Sequence, residues 1–144
     1  MGSEVCSDVC LVRIVLVAQG DLVKSLLETA VLSTGELDQI EAVSFGAEEG
    51  FDSLHAKVLE TMGCLGDEVV VLVDPPSDTP ANVCMRVTAE RGCEAVVGVY
   101  LPMLIETVLS CDNESAVAVA QTALQTGQEE LVRLSGLLPK PGIG

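Results

Sequence analysis

The stretch Glu-Val-Val-Val-Leu-Val at residues 68–73 decides the fold. After Glu68 it is an unbroken run of β-branched and aliphatic residues, which is typical of a strand covered on both faces of a sheet. Three weaker runs occur at residues 11–17, 40–45 and 95–99. Helical patterns of apolar residues lie between these runs, and this alternation predicts a parallel sheet with helical crossovers.

Signals for helix starts and stops bound the intervening segments. Asp21 can cap a first helix that Gly35 would end, and apolar residues mark a second helix over Phe51–Met62. The pair Thr79-Pro80 predicts the start of a third helix, with Thr79 as its N-cap. Two further helices are predicted at residues 102–109 and 114–134.

These elements predict an α/β fold. We expect a doubly wound, mainly parallel sheet in the strand order 2-1-3-4, with helices on both faces and an extra edge strand offered by the C-terminal segment. The domain is expected to span residues 11–138, between tails at 1–10 and 139–144. In such sheets, ligands bind beyond the carboxyl ends of the strands, where the strand order reverses. The loops after the first and third strands should therefore form any site.

Composition excludes several classes of function. The 144 residues carry 7 basic and 22 acidic side chains, which gives a formal net charge of −15. Because so few cations cannot form a basic stripe, we expect no binding to nucleic acid and no attraction to an anionic membrane. The longest apolar run is too short to span a bilayer, and no secretory signal is visible.

Cysteine and histidine usage argues against a metal site. The six cysteines form no Cys-x-x-Cys pair, and His55 is the only histidine. We therefore predict no metal and no cofactor. Cys84 and Cys93 are expected to be buried small hydrophobes, whereas no function follows from Cys6 and Cys10, which lie in the predicted N-terminal tail.

Three segments at the predicted loops carry a family resemblance. The first, residues 14–22, ends its strand in Ala18-Gln19-Gly20; the second joins Asp74 to Thr79-Pro80-Ala81-Asn82; the third is residues 97–104. In this order they resemble the mannose-family enzyme IIA domains of the bacterial phosphotransferase system, whose motifs are Ser/Thr-His-Gly, Asp-x-x-Gly-Gly-Ser/Thr-Pro-x-Asn and Gly-Val-Asn-x-Pro-Met-Leu. Thr126-Gly127 also fits, so the resemblance runs from about Val12 to Leu134.

The resemblance implies a doubly wound fold and a cytoplasmic homodimer. It also implies that a histidine accepts a phosphoryl group from the carrier protein HPr and passes it to an enzyme IIB domain during sugar uptake. A neutral imidazole suits this task because it is a good nucleophile, and a carboxylate on its other nitrogen fixes the tautomer.

The sequence departs from the family pattern where the chemistry is expected. The nucleophilic histidine of the family falls on Gln19, and its paired glycines fall on Ser77 and Asp78. A primary amide has no basic nitrogen, so it cannot take up and release a phosphoryl group as an imidazole does. Asp74 and Thr79 match the family, and Asp74 would be the orienting carboxylate. The candidate cleft consists of Gln19, Gly20, Asp74, Ser77, Asp78 and Thr79.

Three functional interpretations follow. The first is an enzyme IIA-like protein that has lost its phosphoryl site and acts by docking HPr-like or enzyme IIB-like proteins, or by binding a small polar ligand. The second is a working phosphoryl carrier between HPr and an enzyme IIB domain. The third is a receiver-like domain phosphorylated on Asp74, although the acidic pair and the lysine of receivers are missing. His55 is expected on a solvated helix surface, away from the cleft.

Apolar groups in the C-terminal part give a separate indication of dimerisation. The last predicted helix and Leu137-Leu138 carry more apolar side chains than a four-stranded core needs. We therefore predict a homodimer in which the C-terminal segment packs against the partner subunit.

Overall fold

The computed structural model describes residues 12–35, 39–63, 68–74, 78–110 and 115–139. Strands and helices alternate along the chain. The strands are β1 (Arg13–Gln19), β2 (Ile40–Phe45), β3 (Val69–Asp74) and β4 (Glu94–Val97). The helices are α1 (Leu22–Thr34), α2 (Phe51–Met62), α3 (Asp78–Arg91), α4 (Leu101–Leu109) and α5 (Ala116–Glu130), followed by a 3-10 helix at Leu134–Leu137.

The four strands form one parallel sheet in the order β2-β1-β3-β4, which confirms the predicted fold class and strand order. Ile14 in β1 is in register with Ile40 on one side and Val70 on the other. The expected extra edge strand is not formed within the described chain. After α5, residues 131–139 are exposed and turn into the 3-10 helix, so they do not run along β4.

Two apolar clusters hold the helices against the sheet. Alternate residues of β1 point to opposite faces, so Ile14 and Leu16 join one cluster while Val15 and Val17 join the other. Helices α1, α4 and α5 pack on the first face, and α2 and α3 pack on the second. The sheet is therefore covered by helices on both faces, as predicted.

Only the two central strands are buried on both sides. Residues 14–18 of β1 and 69–73 of β3 are all buried, whereas β2 alternates and β4 is half-buried. β2 and β4 are the edge strands, and an edge strand has less helix above and below it. The burial on both faces that the stretch at residues 68–73 predicts is therefore found in β3 and β1, and the two edge strands lack it.

Several element ends differ from the predicted ones. α3 begins at Asp78, so Thr79 lies inside its first turn and is not the N-cap. The first turn tolerates Pro80 at its third position because the first N–H groups of a helix have no partner within the helix. β4 ends at Val97 because Gly98, with φ of 89°, leaves the extended region. Gly35, with φ of 87°, ends α1 as predicted.

The last helix is shorter than predicted at both ends. It begins after Ser115, whose hydroxyl accepts a hydrogen bond from the Ala118 N–H (3.1 Å), and it ends at Glu130. The Ala116 N–H donates to a carboxylate oxygen of Glu68 (2.6 Å), which ties this helix start to the beginning of β3. None of the helices in the described ranges is both long enough and apolar enough to cross a bilayer.

Cys84 and Cys93 are free and buried, as the sequence predicted. Burial raises the pKa of the Cys84 thiol to about 12, and burial also raises the pKa of Cys93. Both thiols are therefore protonated at neutral pH and act as packing groups. Cys6 and Cys10 lie outside the described residues.

We expect the substitution Leu72→Ala to destabilise the fold by about 2–5 kcal/mol, because Leu72 is fully buried in the central strand β3 and its loss leaves a cavity. The matched control is Leu32→Ala on α1, where the side chain is 86% exposed. The control should change the free energy of unfolding by no more than about 0.5 kcal/mol. Urea denaturation followed by circular dichroism measures both values; equal effects would contradict the assignment of β3 to the core.

Candidate functional site

The candidate site lies at the carboxyl edge of the sheet, between β1 and β3. These strands are neighbours, but the helices that follow them, α1 and α3, pack on opposite faces. A crevice forms at such a switch point because the two connections diverge from it. The loops after β1 and β3 are the two that the sequence predicted.

Gln19 and Asp74 end the two central strands. Ala18 is in register with Asp74, so Gln19 lies one residue beyond the position that faces Asp74. Since neighbouring strands are about 4.8 Å apart, the two backbones end side by side. Gln19 is exposed and Asp74 is partly buried. Within the described ranges, neither side chain hydrogen-bonds another residue.

Gly20 turns the chain out of β1. Its φ of 55° lies in the left-handed region, where a Cβ would meet no atom within 4 Å but would strain the backbone. Its N–H donates to the Phe45 carbonyl oxygen (2.9 Å), and its own carbonyl oxygen accepts from the Ser44 hydroxyl (3.1 Å). The end of β2 therefore holds both backbone polar groups of Gly20. Sequence reasoning missed Ser44, because no local pattern signals a bond between residues 24 positions apart.

The first turn of α3 forms the other side of the edge. Asp78 is its first residue and Thr79 its second, with the Thr79 side chain partly buried. The N–H groups at a helix start point outward and favour negative charge or hydrogen-bond acceptors. Ser77 lies outside the described residues, so of the six predicted cleft residues the structure places the backbones of five at this edge.

The loop after β4 joins the same edge. The Gly98 N–H donates to the Val73 carbonyl oxygen (2.7 Å), one residue before Asp74. The Tyr100 hydroxyl donates to the Gly127 carbonyl oxygen (3.4 Å) in α5, and its ring packs against the first apolar cluster. Tyr100 is therefore a packing residue that ties this loop to α5. A Cβ on Gly127 would lie 2.8 Å from the Met103 Cε, so a larger residue there requires that flexible methyl group to shift.

His55 lies away from this edge, in the middle of α2, but the expectation of a solvated surface histidine was only partly right. Its side chain is 19% exposed, and its Nε2 is 2.9 Å from a carboxylate oxygen of Glu90 on α3. Its ring stacks on Phe51 at 5.5 Å, and the Arg86 guanidinium lies over Phe51. The Glu90 pKa is lowered, chiefly by the hydrogen bond with His55. His55 thus belongs to the contact between α2 and α3.

Titratable groups at the edge are few. Among the described residues there is no group of three or more histidine, cysteine or acidic side chains that could hold a metal ion. Among the described side chains of the candidate cleft are the Gln19 amide, the Asp74 carboxylate and the Thr79 hydroxyl, and the start of α3 lies beside them. Such a set can bind a small polar group or a protein loop by hydrogen bonding, but it presents no imidazole.

Residues 13–124 match the model of the EIIA-man family, described as the phosphotransferase-system (PTS) fructose IIA component. The chain belongs to this family. It is 28% identical over 122 residues to the "PTS system mannose-specific EIIAB component" of Escherichia coli K12, a match that covers 82% of this chain. It spans only 38% of that relative's length.

Two further EIIA-man family comparisons cover nearly whole proteins. The "PTS system fructose-specific EIIA component" of Bacillus subtilis is 28% identical over 135 residues, with 86% of this chain and 92% of the relative covered. The solved structure of the "Mannose/sorbose specific IIA subunit of phosphotransferase system" from Enterococcus faecalis superposes with a TM-score of 0.77 at 26% identity. That match covers 92% of this chain and 98% of the other.

We expect Gly20→Ala to destabilise this family member by about 1–2 kcal/mol, because alanine must adopt a left-handed conformation there although it meets no steric clash. Gly20→Asn is the matched control: asparagine tolerates that conformation, so it should lose clearly less. Thermal unfolding measures both. Equal losses would show that steric crowding, and not backbone conformation, selects glycine.

Proposed function

We propose that this EIIA-man family member no longer carries a phosphoryl group and acts in carbohydrate uptake, or in its regulation, by docking proteins or by binding a small polar ligand at the carboxyl edge. The observation that carries the proposal is the position of the only imidazole. His55 pairs with Glu90 between α2 and α3, whereas the residue that we align with the family's phosphoryl-accepting histidine is Gln19, at the end of β1.

The chemistry of the edge supports this interpretation. An amide nitrogen shares its lone pair with the carbonyl, so Gln19 lacks the basic nucleophile that phosphoryl transfer to nitrogen requires. We assign Asp74 the role of the family's orienting carboxylate, which would have no imidazole to orient because Gln19 stands at the matching position. Asp78 stands where the family motif has glycine. We expect its added negative charge to oppose the approach of a phosphoryl group.

The surface beside the site supports docking of a basic partner. A groove of ≈ 590 Å³ lies between α4 and α5. Leu101 and Ile105 contribute apolar surface to it, and the carboxylates of Glu106, Glu129 and Glu130 line it without any cation among the lining residues. With the net charge of −15, this groove favours a partner that combines aliphatic and basic side chains, such as an HPr-like or enzyme IIB-like protein. We place this docking in the cytoplasm, where HPr-like and enzyme IIB-like proteins act.

The phosphoryl status is tested by transfer from phosphoenolpyruvate through enzyme I and HPr. We expect no acid-labile label on the natural chain, little on Gln19→His, and more on Gln19→His with Asp78→Gly, because the double variant restores the nucleophile and removes the opposing charge. Adding His55→Gln to the double variant should leave the label unchanged, which assigns it to position 19.

Two outcomes of this transfer experiment would overturn the proposal. Stoichiometric acid-labile label on the natural chain would show a working carrier. Base-labile label lost in Asp74→Asn would show an aspartyl phosphate, as in receivers. A parallel titration of isotope-labelled HPr with the natural chain tests docking directly: shifted HPr amide signals support it, and unchanged signals argue for the small-ligand function.

We further propose that the protein is a homodimer. The segment that follows α5 presents Leu131, Leu134, Leu137 and Leu138 at 70–78% exposure. Beside β4, an apolar groove of ≈ 400 Å³ is lined by Val97, Tyr100, Met103 and Leu124 among others. A second copy that covers both surfaces would remove this apolar area from water, and each buried leucine contributes about 1.5–3 kcal/mol.

Light scattering after size-exclusion chromatography should give the mass of a dimer for the natural chain. The double variant Leu134→Asp, Leu137→Asp should shift it to monomer, because two charges cannot be buried in an apolar contact. Leu32→Asp on α1, where Leu32 is 86% exposed, is the control and should stay dimeric. Monomer mass for the natural chain at concentrations well above micromolar would remove the proposal.

A further inference from the structure

The turn after β1 depends on the end of β2 for its conformation. Both backbone polar groups of Gly20 bond there, the N–H to the Phe45 carbonyl and the carbonyl to the Ser44 hydroxyl. Contacts that hold Ser44 and Phe45 in place therefore also hold the backbone of Gly20, next to Gln19. Ser44 and Phe45 are the last two residues of the edge strand β2.

A lysine from α2 supports the outer side of β2. Carbonyl groups alternate in direction along a strand, and the Phe45 carbonyl points toward β1, so the Ser44 carbonyl points to the open edge of the sheet. No strand of the described chain lies beyond that edge. The Lys57 ammonium donates to the Ser44 carbonyl oxygen (3.0 Å), which satisfies a backbone group that would otherwise depend on water.

A carboxylate holds the lysine and the following loop together. The Lys57 ammonium also donates to Glu49 (3.0 Å), and the Gly46 N–H donates to the same Glu49 oxygen (3.0 Å). The Ser53 hydroxyl donates to the other oxygen (2.6 Å). The Glu49 side chain is 10% exposed. Three donors thus converge on one carboxylate, and hydrogen bonds to an ionised acceptor are stronger than bonds between neutral groups.

The Glu49 carboxyl group is ionised in the folded protein at neutral and at mildly acidic pH. The Gly46 N–H, then the Ser53 hydroxyl and then Lys57 lower the pKa of this carboxyl from about 4.5 to about 2. The charge that organises the loop is therefore present from neutral pH down to below the ordinary range of glutamate.

We propose that Lys57 and Glu49 are positioning residues for the Gln19–Gly20 turn. Glu49 orients the Lys57 ammonium and the Gly46 N–H, Lys57 holds the Ser44 carbonyl, and Ser44 with Phe45 holds Gly20. We call this group the brace; it consists of Ser44, Gly46, Glu49, Ser53 and Lys57. Through the brace, the helix α2 positions one side of the carboxyl edge, although none of the candidate cleft residues lies on α2. The effect of the brace on docking or ligand binding rests on the proposed function, whereas the positioning itself does not.

Amide hydrogen exchange at Gly20, resolved by nuclear magnetic resonance, tests the brace. Glu49→Gln and Lys57→Met should each speed exchange of the Gly20 N–H by about tenfold or more, as expected when charge-assisted hydrogen bonds are lost. The double variant should do little more than either single one, because the two side chains act in series. Lys57→Arg keeps the charge and the donors and should retain most of the protection.

The control variant is Glu90→Gln, which removes the carboxylate that pairs with His55 and Arg86 on the same side of the sheet. It should leave the exchange rate of the Gly20 amide unchanged, and the exchange rate of the Leu72 amide should report global stability in every variant. The inference is overturned if the Gly20 amide exchanges at the same rate in Glu49→Gln, Lys57→Met and Glu90→Gln. It is also overturned if a variant speeds exchange at Gly20 and at Leu72 by the same factor, because the loss is then global. Phosphoryl transfer plays no part in this measurement. A negative result for the brace can therefore be distinguished from a negative result for the proposed function.

Discussion

The pairing of β1 with β3 is the constraint on which the rest of the structure depends. Residues 14–18 and 69–73 are buried on both faces, so each strand must be covered by helices above and below. The helices after these strands pack on opposite faces to meet that need. The same requirement leaves a gap where the strands end, and Gln19 and Asp74 occupy it because polar groups cannot lie farther down the strands.

In this scaffold, the residues that stabilise the fold differ from the residues of the candidate cleft. The apolar clusters stop at Ala18 in β1 and Val73 in β3, and hydrogen bonds with the end of β2 and with the loop after β4 hold the backbone there. A change at Gln19 or Asp78 therefore costs the core little, and a family member can lose its reactive group while it keeps its fold and its surfaces. Docking is the function that such a change leaves intact, since it depends on shape and charge over a wide area.

Much of this arrangement follows from the sequence. The run at residues 69–73 could be interpreted because burial on both faces admits only apolar side chains. The handedness of the crossovers limited the possible strand orders, among which 2-1-3-4 was expected. The start of α3 was misplaced by two residues because Pro80 fits several positions of a first turn. The partners of His55 and Gly20 could not be found, since Glu90 and Ser44 reach them only through tertiary packing.

The bare backbone at Gly127 links the packing of two helices. A Cβ at this position would lie 2.8 Å from the Cε of Met103, the flexible end of that side chain, and the Tyr100 hydroxyl donates to the carbonyl oxygen of the same residue. A larger residue at 127 therefore requires the Met103 methyl group to move aside. The conformation of one methionine in α4 thus decides whether α5 accepts a side chain there.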